Sequence, residues 1–160
     1  MRKNIIIATG VLILLLVNIN IYQRHALKHN GRIIFLELAP KDPRSLMQGD
    51  YMALNFKIAN DAFGFGHIKN AKDGYLIAEL DNKNIAQFKY LDNQRELSNN
   101  EIKLRYRVRN EFIKFATNAY FFEEGSAEQY EKAKYGEFRI SDDGEMLLTQ
   151  LRDKDLAVLK

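Results

Sequence analysis

Ala39-Pro40-Lys41-Asp42-Pro43-Arg44-Ser45-Leu46-Met47-Gln48-Gly49-Asp50-Tyr51-Met52-Ala53-Leu54-Asn55-Phe56 is the stretch whose reading decides the fold. Both prolines of the chain stand in it. Proline locks φ and restrains the residue before it, so the connector reads as stiff and non-helical. Gly49-Asp50 reads as the turn that aims the next strand. A β-rich run enters this corner over residues 32–38, with Ile34, Leu36 and Leu38 on one face. Another leaves it over 51–58. There Met52, Leu54, Phe56 and Ile58 share one face, and Tyr51, Ala53, Asn55 and Lys57 share the other. The expectation is a strand on each side of a rigid corner.

Further strands follow outward from it. Residues 74–80 and 85–91 flank Asp81-Asn82-Lys83-Asn84 and read as a hairpin. The Gly-x-Gly of residues 60–70, within Phe63-Gly64-Phe65-Gly66-His67, has no helix to open on a nucleotide, so the segment reads as a surface loop pinned by two phenylalanines, a kind of loop that can also line a binding groove. The clearest period of two lies in 101–109. It turns Ile102, Leu104, Tyr106 and Val108 inward and sets Lys103, Arg105, Arg107 and Arg109 in a basic row. That row reads in two ways: an edge or water-facing strand neutralised by nearby acids, or a contact with anionic lipid heads or an acidic partner. Ser126 and Gln129 have the capping-box spacing for a short helix, with Tyr130 and Ala127 or Ala133 inward and Glu128 and Glu131 in solvent. Asp142-Asp143-Gly144 closes a second hairpin between 136–141 and 145–152, and 155–160 reads as a last strand. The fold class is therefore mainly β (α+β), an antiparallel sandwich or barrel-like domain with one short helix.

The N-terminus is of another kind. Residues 5–17 carry no charge and follow Arg2-Lys3. Extended through Tyr22 they make a helix of about 27 Å, close to the roughly 30 Å of a hydrocarbon core. No small-x-small cleavage site follows, which favours an anchor over a cleaved signal peptide. The chain divides accordingly into an anchor (1–22), a basic juxtamembrane linker (23–31) and a β domain (32–160). Positive charge flanks both ends of the span, and the very short N-terminal tail places the bulk of the chain outside the cytoplasm. His25 and His29 have the spacing of a metal pair, but no third ligand stands near them in the sequence, and the stalk reads as solvated or in contact with headgroups.

Composition narrows the function classes. The net charge of +3 includes Arg2 and Lys3, so the remainder is nearly neutral and carries no nucleic-acid footprint. No cysteine is present, which removes disulfides, thiolate metal sites and a cysteine nucleophile. No metal or cofactor is expected.

Gly49-Asp50-Tyr51-Met52-Ala53-Leu54-Asn55-Phe56, preceded by Asp42-Pro43-Arg44-Ser45-Leu46 and followed by Ala119-Tyr120-Phe121 and Glu124-Gly125, resembles the GDYXXLXY family over residue 34 to the C-terminus. Members are bacterial membrane-anchored proteins, often encoded beside multi-span membrane proteins, which implies a partner and no reaction. The family pattern ends in tyrosine; Phe56 stands here, so hydroxyl chemistry is not essential at that position. From the residues themselves, Asp42, Arg44 and Asp50 read as a clamp that fixes the corner through a bidentate guanidinium. Pro43, Gly49, Tyr51, Leu54 and Phe56 belong to the same structural device or to an interaction surface. The resulting expectation is a non-enzymatic accessory protein of the inner membrane, facing the periplasm. The alternative is a ligand-binding or serine-dependent hydrolytic domain. An anchor followed by a β domain is similar to type I signal peptidases, where a serine followed by methionine acts with a lysine base. Ser45-Leu46 lacks that pair, no motif selects Lys103 or Lys114, and His67 is the only histidine inside the domain.

Overall fold

A computed structural model describes residues 2–39, 51–64 and 72–159. The first helix, α1 (Arg2–Asn30), is the one helix among the described residues long and apolar enough to cross a membrane, and none of its apolar window is buried in the protein. Its polar side chains are satisfied against its own backbone, the only partner a lipid environment would offer them. Thr9 Oγ1 donates to Ile5 O at 2.9 Å, Asn18 Nδ2 to Leu14 O at 2.8 Å, and Asn20 Nδ2 to Leu16 O at 2.9 Å. The helix does not stop at Tyr22. Residues 23–30 continue it, so the expected linker is helical and runs on from the apolar segment.

The strands form three antiparallel sets. In the first, β1 (Arg32–Glu37) pairs with β8 (Tyr135–Ile140), and β8 pairs with β9 (Met146–Arg152). In the second, β4 (Ala86–Leu91), β3 (Gly74–Leu80), β5 (Glu101–Arg109) and β6 (Phe112–Lys114) lie in that order. The third is a ribbon of β2 (Tyr51–Ala53) and β7 (Ala119–Phe121). Two backbone contacts join the large sheets. Phe35 N donates to Asn84 O at 2.9 Å, and Arg105 N donates to Gly144 O at 3.0 Å. Bent together in this way, the sheets wrap one core as a half-barrel. Ile34, Leu36, Phe138 and Leu151 enter it from one side, and Leu76, Leu104 and Ile102 from the other.

Both expected hairpins form. Asp81 Oδ1 accepts from Lys83 N (2.8 Å) and Ile85 N (2.9 Å), holding the β3–β4 turn. Gly144 (φ +85°) closes the β8–β9 turn, and a Cβ there would stand 2.9 Å from Lys103 O. Positive φ and the close approach of β5 both require glycine at this position.

The strand expected over 51–58 is only partly formed. Burial alternates through Ile58, yet the hydrogen-bonded ladder ends at Ala53, because β7 offers only three residues to pair. Helix α2 (Lys57–Phe63) then begins, so residues 60–63 are helix and not the expected loop. Its apolar side chains follow helical spacing, Ile58 with Ala62 and Ala59 with Phe63, and all four pack on the core. Helix α3 (Ala127–Tyr130) stands where the capping box placed it, but Ser126 makes no side-chain cap; Gln129 N bonds instead to Ser126 O at 3.1 Å. Glu128 and Glu131 are exposed. The C-terminal segment is not a full strand. Asp153 Oδ1 accepts from Asp155 N and Ala157 N, curling the chain, while Val158 bridges back to Arg152 and Leu159 N donates to Leu151 O at 3.3 Å. Strand β6 had no sequence signal: its turn, Asn110-Glu111, takes positive φ at both residues without a glycine.

Candidate functional site

Asp42, Pro43, Arg44, Ser45, Gly49, Asp50 and His67 lie outside the described residues, and with them the expected clamp, the hydrolytic serine and most of the glycine loop. The second half of the motif is described. It enters the domain at the far end of β1, where Ala39 N donates to Asn55 O at 2.8 Å and Leu38 bridges Phe56.

From there the motif sends its side chains two ways. Leu54 and Phe56 point into the core and are 2% and 1% exposed. The Phe56 ring meets Phe115 (5.9 Å between centroids) and Phe138 (5.4 Å) edge to face. Gly136 leaves room for it, since a Cβ there would lie 3.2 Å from Phe56 Cε1. Tyr51 points outward. It pairs with Phe121 across the ribbon, their rings 5.7 Å apart, and Phe121 is 74% exposed. On the inner side of β7, Tyr120 and Phe122 bracket Tyr130 of α3 at 5.2 Å each. Burial, followed by the contact with Tyr130, raises the Tyr120 hydroxyl above its ordinary value.

The basic row is placed on the outer face of β5, and three of its members are paired. Lys103 Nζ lies 2.8 Å from Asp92 Oδ2, Arg105 Nη1 contacts Glu145 Oε1, and Arg109 Nη1 lies 3.1 Å from Asp73 Oδ1. The hydrogen bond from Lys103 holds Asp92 below the usual carboxylate range; the backbone N–H of Val108, more than Arg109, does so for Asp73. Arg107 has no ion pair among the described residues.

Two carboxylates, Glu101 and Glu137, are buried, which the sequence pattern did not mark. Glu101, 5% exposed, accepts from Ser98 N (2.9 Å) and Tyr90 Oη (3.1 Å) and lies 3.1 Å from Lys89 Nζ. These contacts, the Ser98 N–H first, lower its pKa to about 2. Glu137, 3% exposed, accepts from Arg152 Nε (2.7 Å), Gln150 Nε2 (3.0 Å) and Thr149 Oγ1 (3.0 Å). Burial pushes Glu137 up, and these donors together outweigh it, so its pKa falls below the ordinary value. Both carboxylates brace strands. Among the described residues no group of three or more His, Asp or Glu is placed to hold a metal ion. The His25 and His29 rings lie 4.4 Å apart, tilted by 37°, on the exposed side of α1.

A family model described as GDYXXLXY protein matches residues 13–151. No curated protein matches the chain, and neither does any solved structure.

Proposed function

The chain belongs to the GDYXXLXY family, and from that premise we propose that it is a single-pass membrane protein with a non-enzymatic accessory role. Residues 1–22 act as an uncleaved anchor in the bacterial inner membrane. The domain from 32 onward faces the extracytoplasmic side and meets a partner in the same membrane, a multi-span protein. The length and apolar surface of α1 support the anchor.

One observation carries the partner reading. The motif's half-buried Tyr51 packs against Phe121, a ring left 74% exposed on a short ribbon beside the core. Aromatic rings that a partner can bury are the side chains that most often anchor interfaces. A photo-crosslinking amino acid at position 121, in the full chain and in native membranes, tests this. The expected product is one discrete adduct with a multi-span membrane protein, absent when the probe stands at Lys83. Recovery of the chain uncrosslinked, or only linked to itself, overturns the reading.

A further inference from the structure

The junction between anchor and domain is tight at one point and open beside it. Gly31 N donates to Leu27 O at 2.9 Å, and Arg139 Nη1 donates to Gly31 O at 3.0 Å. A Cβ on Gly31 would fall 2.5 Å from Leu27 O and 3.1 Å from Arg139 Cβ, so the helix end is pressed against β8. Next to this contact, a cleft of about 830 Å³ separates the last turns of α1 from β5 and the β8–β9 turn. That volume suits a small ligand or a headgroup.

Arginines from three elements line the cleft: Arg24 of α1, Arg32 of β1, and Arg105 and Arg107 of β5. Asp142 and Glu145 face them from the turn. Glu145 is taken by Arg105. Asp143, also in the wall, is turned back on its own loop by Ser141 Oγ and the N–H of Glu145, which hold its carboxyl below the usual range. Arg24, Arg32 and Arg107 keep unpaired guanidinium groups, among the described residues, around a space that excludes neither water nor ligand.

The depth of the cleft identifies its occupant. With residues 5–22 spanning about 27 Å, Tyr22 and Arg24 stand at the level of lipid phosphates. Asn20 and Tyr22 form part of the cleft wall, so it opens toward that level. The apolar face of α1 runs on from it uncovered by protein. Guanidinium groups bind phosphate oxygens bidentately, and basic clusters beside a membrane helix favour anionic lipids.

We propose that this cleft holds the headgroup of an anionic phospholipid, its phosphate on Arg24, Arg32 and Arg107 and its acyl chains along α1. The inference rests on α1 lying in a bilayer. Resistance of the chain to alkaline carbonate extraction checks that separately from lipid preference.

The test is native mass spectrometry of the full chain released from nanodiscs of phosphatidylglycerol mixed with phosphatidylcholine. One phosphatidylglycerol per chain should be retained in preference to phosphatidylcholine. Each arginine near an anionic surface contributes about fivefold to binding, so Arg32→Gln with Arg107→Gln should weaken retention about twenty-fivefold. Asp142→Asn should strengthen it, and Lys83→Gln, on the β3–β4 turn, should leave it unchanged. The Asp142→Asn gain and the wild-type preference between lipids stand even if the double variant folds poorly. Equal retention of both lipids, or a well-folded double variant that binds like the wild type, overturns the proposal. Displacement of the lipid by millimolar inorganic phosphate also overturns it, because the site would then be one for a soluble anion.

Discussion

Strand β1 connects two ends of the domain that are finished in opposite ways. At its start, beside α1, the domain is open: arginines surround a solvated cleft, and the helix meets β8 and β9, tightly where Leu27, Gly31 and Arg139 come together. At its other end, about 20 Å away at strand rise, the domain is closed. There Leu54 and Phe56 complete the core, and Tyr130 packs between Tyr120 and Phe122. The difference teaches where the energy lies. Packing fixes the far end, so changes there are felt as stability. Charge defines the near end, so if the proposed lipid site holds, changes there should be felt as membrane engagement and leave folding nearly intact.

The largest expected effect tests the closed end. Phe56→Ala removes a ring that is 1% exposed and touches Phe115 and Phe138, and should cost about 3–5 kcal/mol. Phe121→Ala, the same truncation on the exposed side of the same end, should stay within about 0.5 kcal/mol. Denaturant unfolding of the detergent-solubilised chain, followed by circular dichroism, measures both. A Phe56 variant losing under 1 kcal/mol would break the contrast between the two ends.

A smaller effect separates the braced interior from the solvated cleft by pH. The folded pKa of Glu101 is about 2 and that of Glu137 is lowered, both beneath the ordinary carboxylate value of 4.5. In such cases the unfolded chain binds protons first as pH drops. The stability these groups contribute is therefore complete above the ordinary carboxylate range and lost as pH falls, for Glu101 down through about 2. The denaturation midpoint should be level from pH 7 to about 5 and then decline. Glu101→Gln should start lower and decline less steeply. An unchanged acid slope in that variant would show that the carboxylate is not braced as the geometry indicates.

Much of this contrast was readable from the residues, and the exceptions have physical causes. The alternation of 101–109 and the Asp-Gly turn specify their strands because each satisfies one strong local rule. Residues 51–58 also alternate, and their burial follows suit, but a ladder needs a partner of matching length and β7 is short. The pattern therefore reported which side chains are inside without reporting the backbone that carries them. Helix α2 was hidden for the same reason: Lys57 and Ile58 fit both periods, and only Ala62 and Phe63 decide. The basic linker and the basic row were each visible in the sequence, but not that they meet around one cleft. Arg107 is distant in sequence from Arg24 and Arg32, and it meets them only because β1 leaves the helix directly and β5 is hydrogen-bonded to the β8–β9 turn. Glu137 and Arg152 likewise meet through strand pairing, which brings Tyr135 opposite Arg152.

The smallest expected effect bears on the basic row, whose two readings from sequence differ in what its charge is for. Lys103 and Arg109 have carboxylate partners, Asp92 and Asp73, and Arg107 has none among the described residues. Partly exposed pairs of this kind contribute about 1 kcal/mol or less, because attraction in water is screened and two long side chains must be held still. Lys103→Gln with Arg109→Gln should thus shift the unfolding free energy by no more than about 1 kcal/mol and leave lipid retention as in the wild type. Arg107→Gln alone should show the reverse, with unfolding unchanged and retention down about fivefold. If the paired residues reduced retention as much as Arg107 does, the whole outer face of β5 would be the membrane contact. The open end would then be a broad charged surface, and the cleft would hold no lipid of its own.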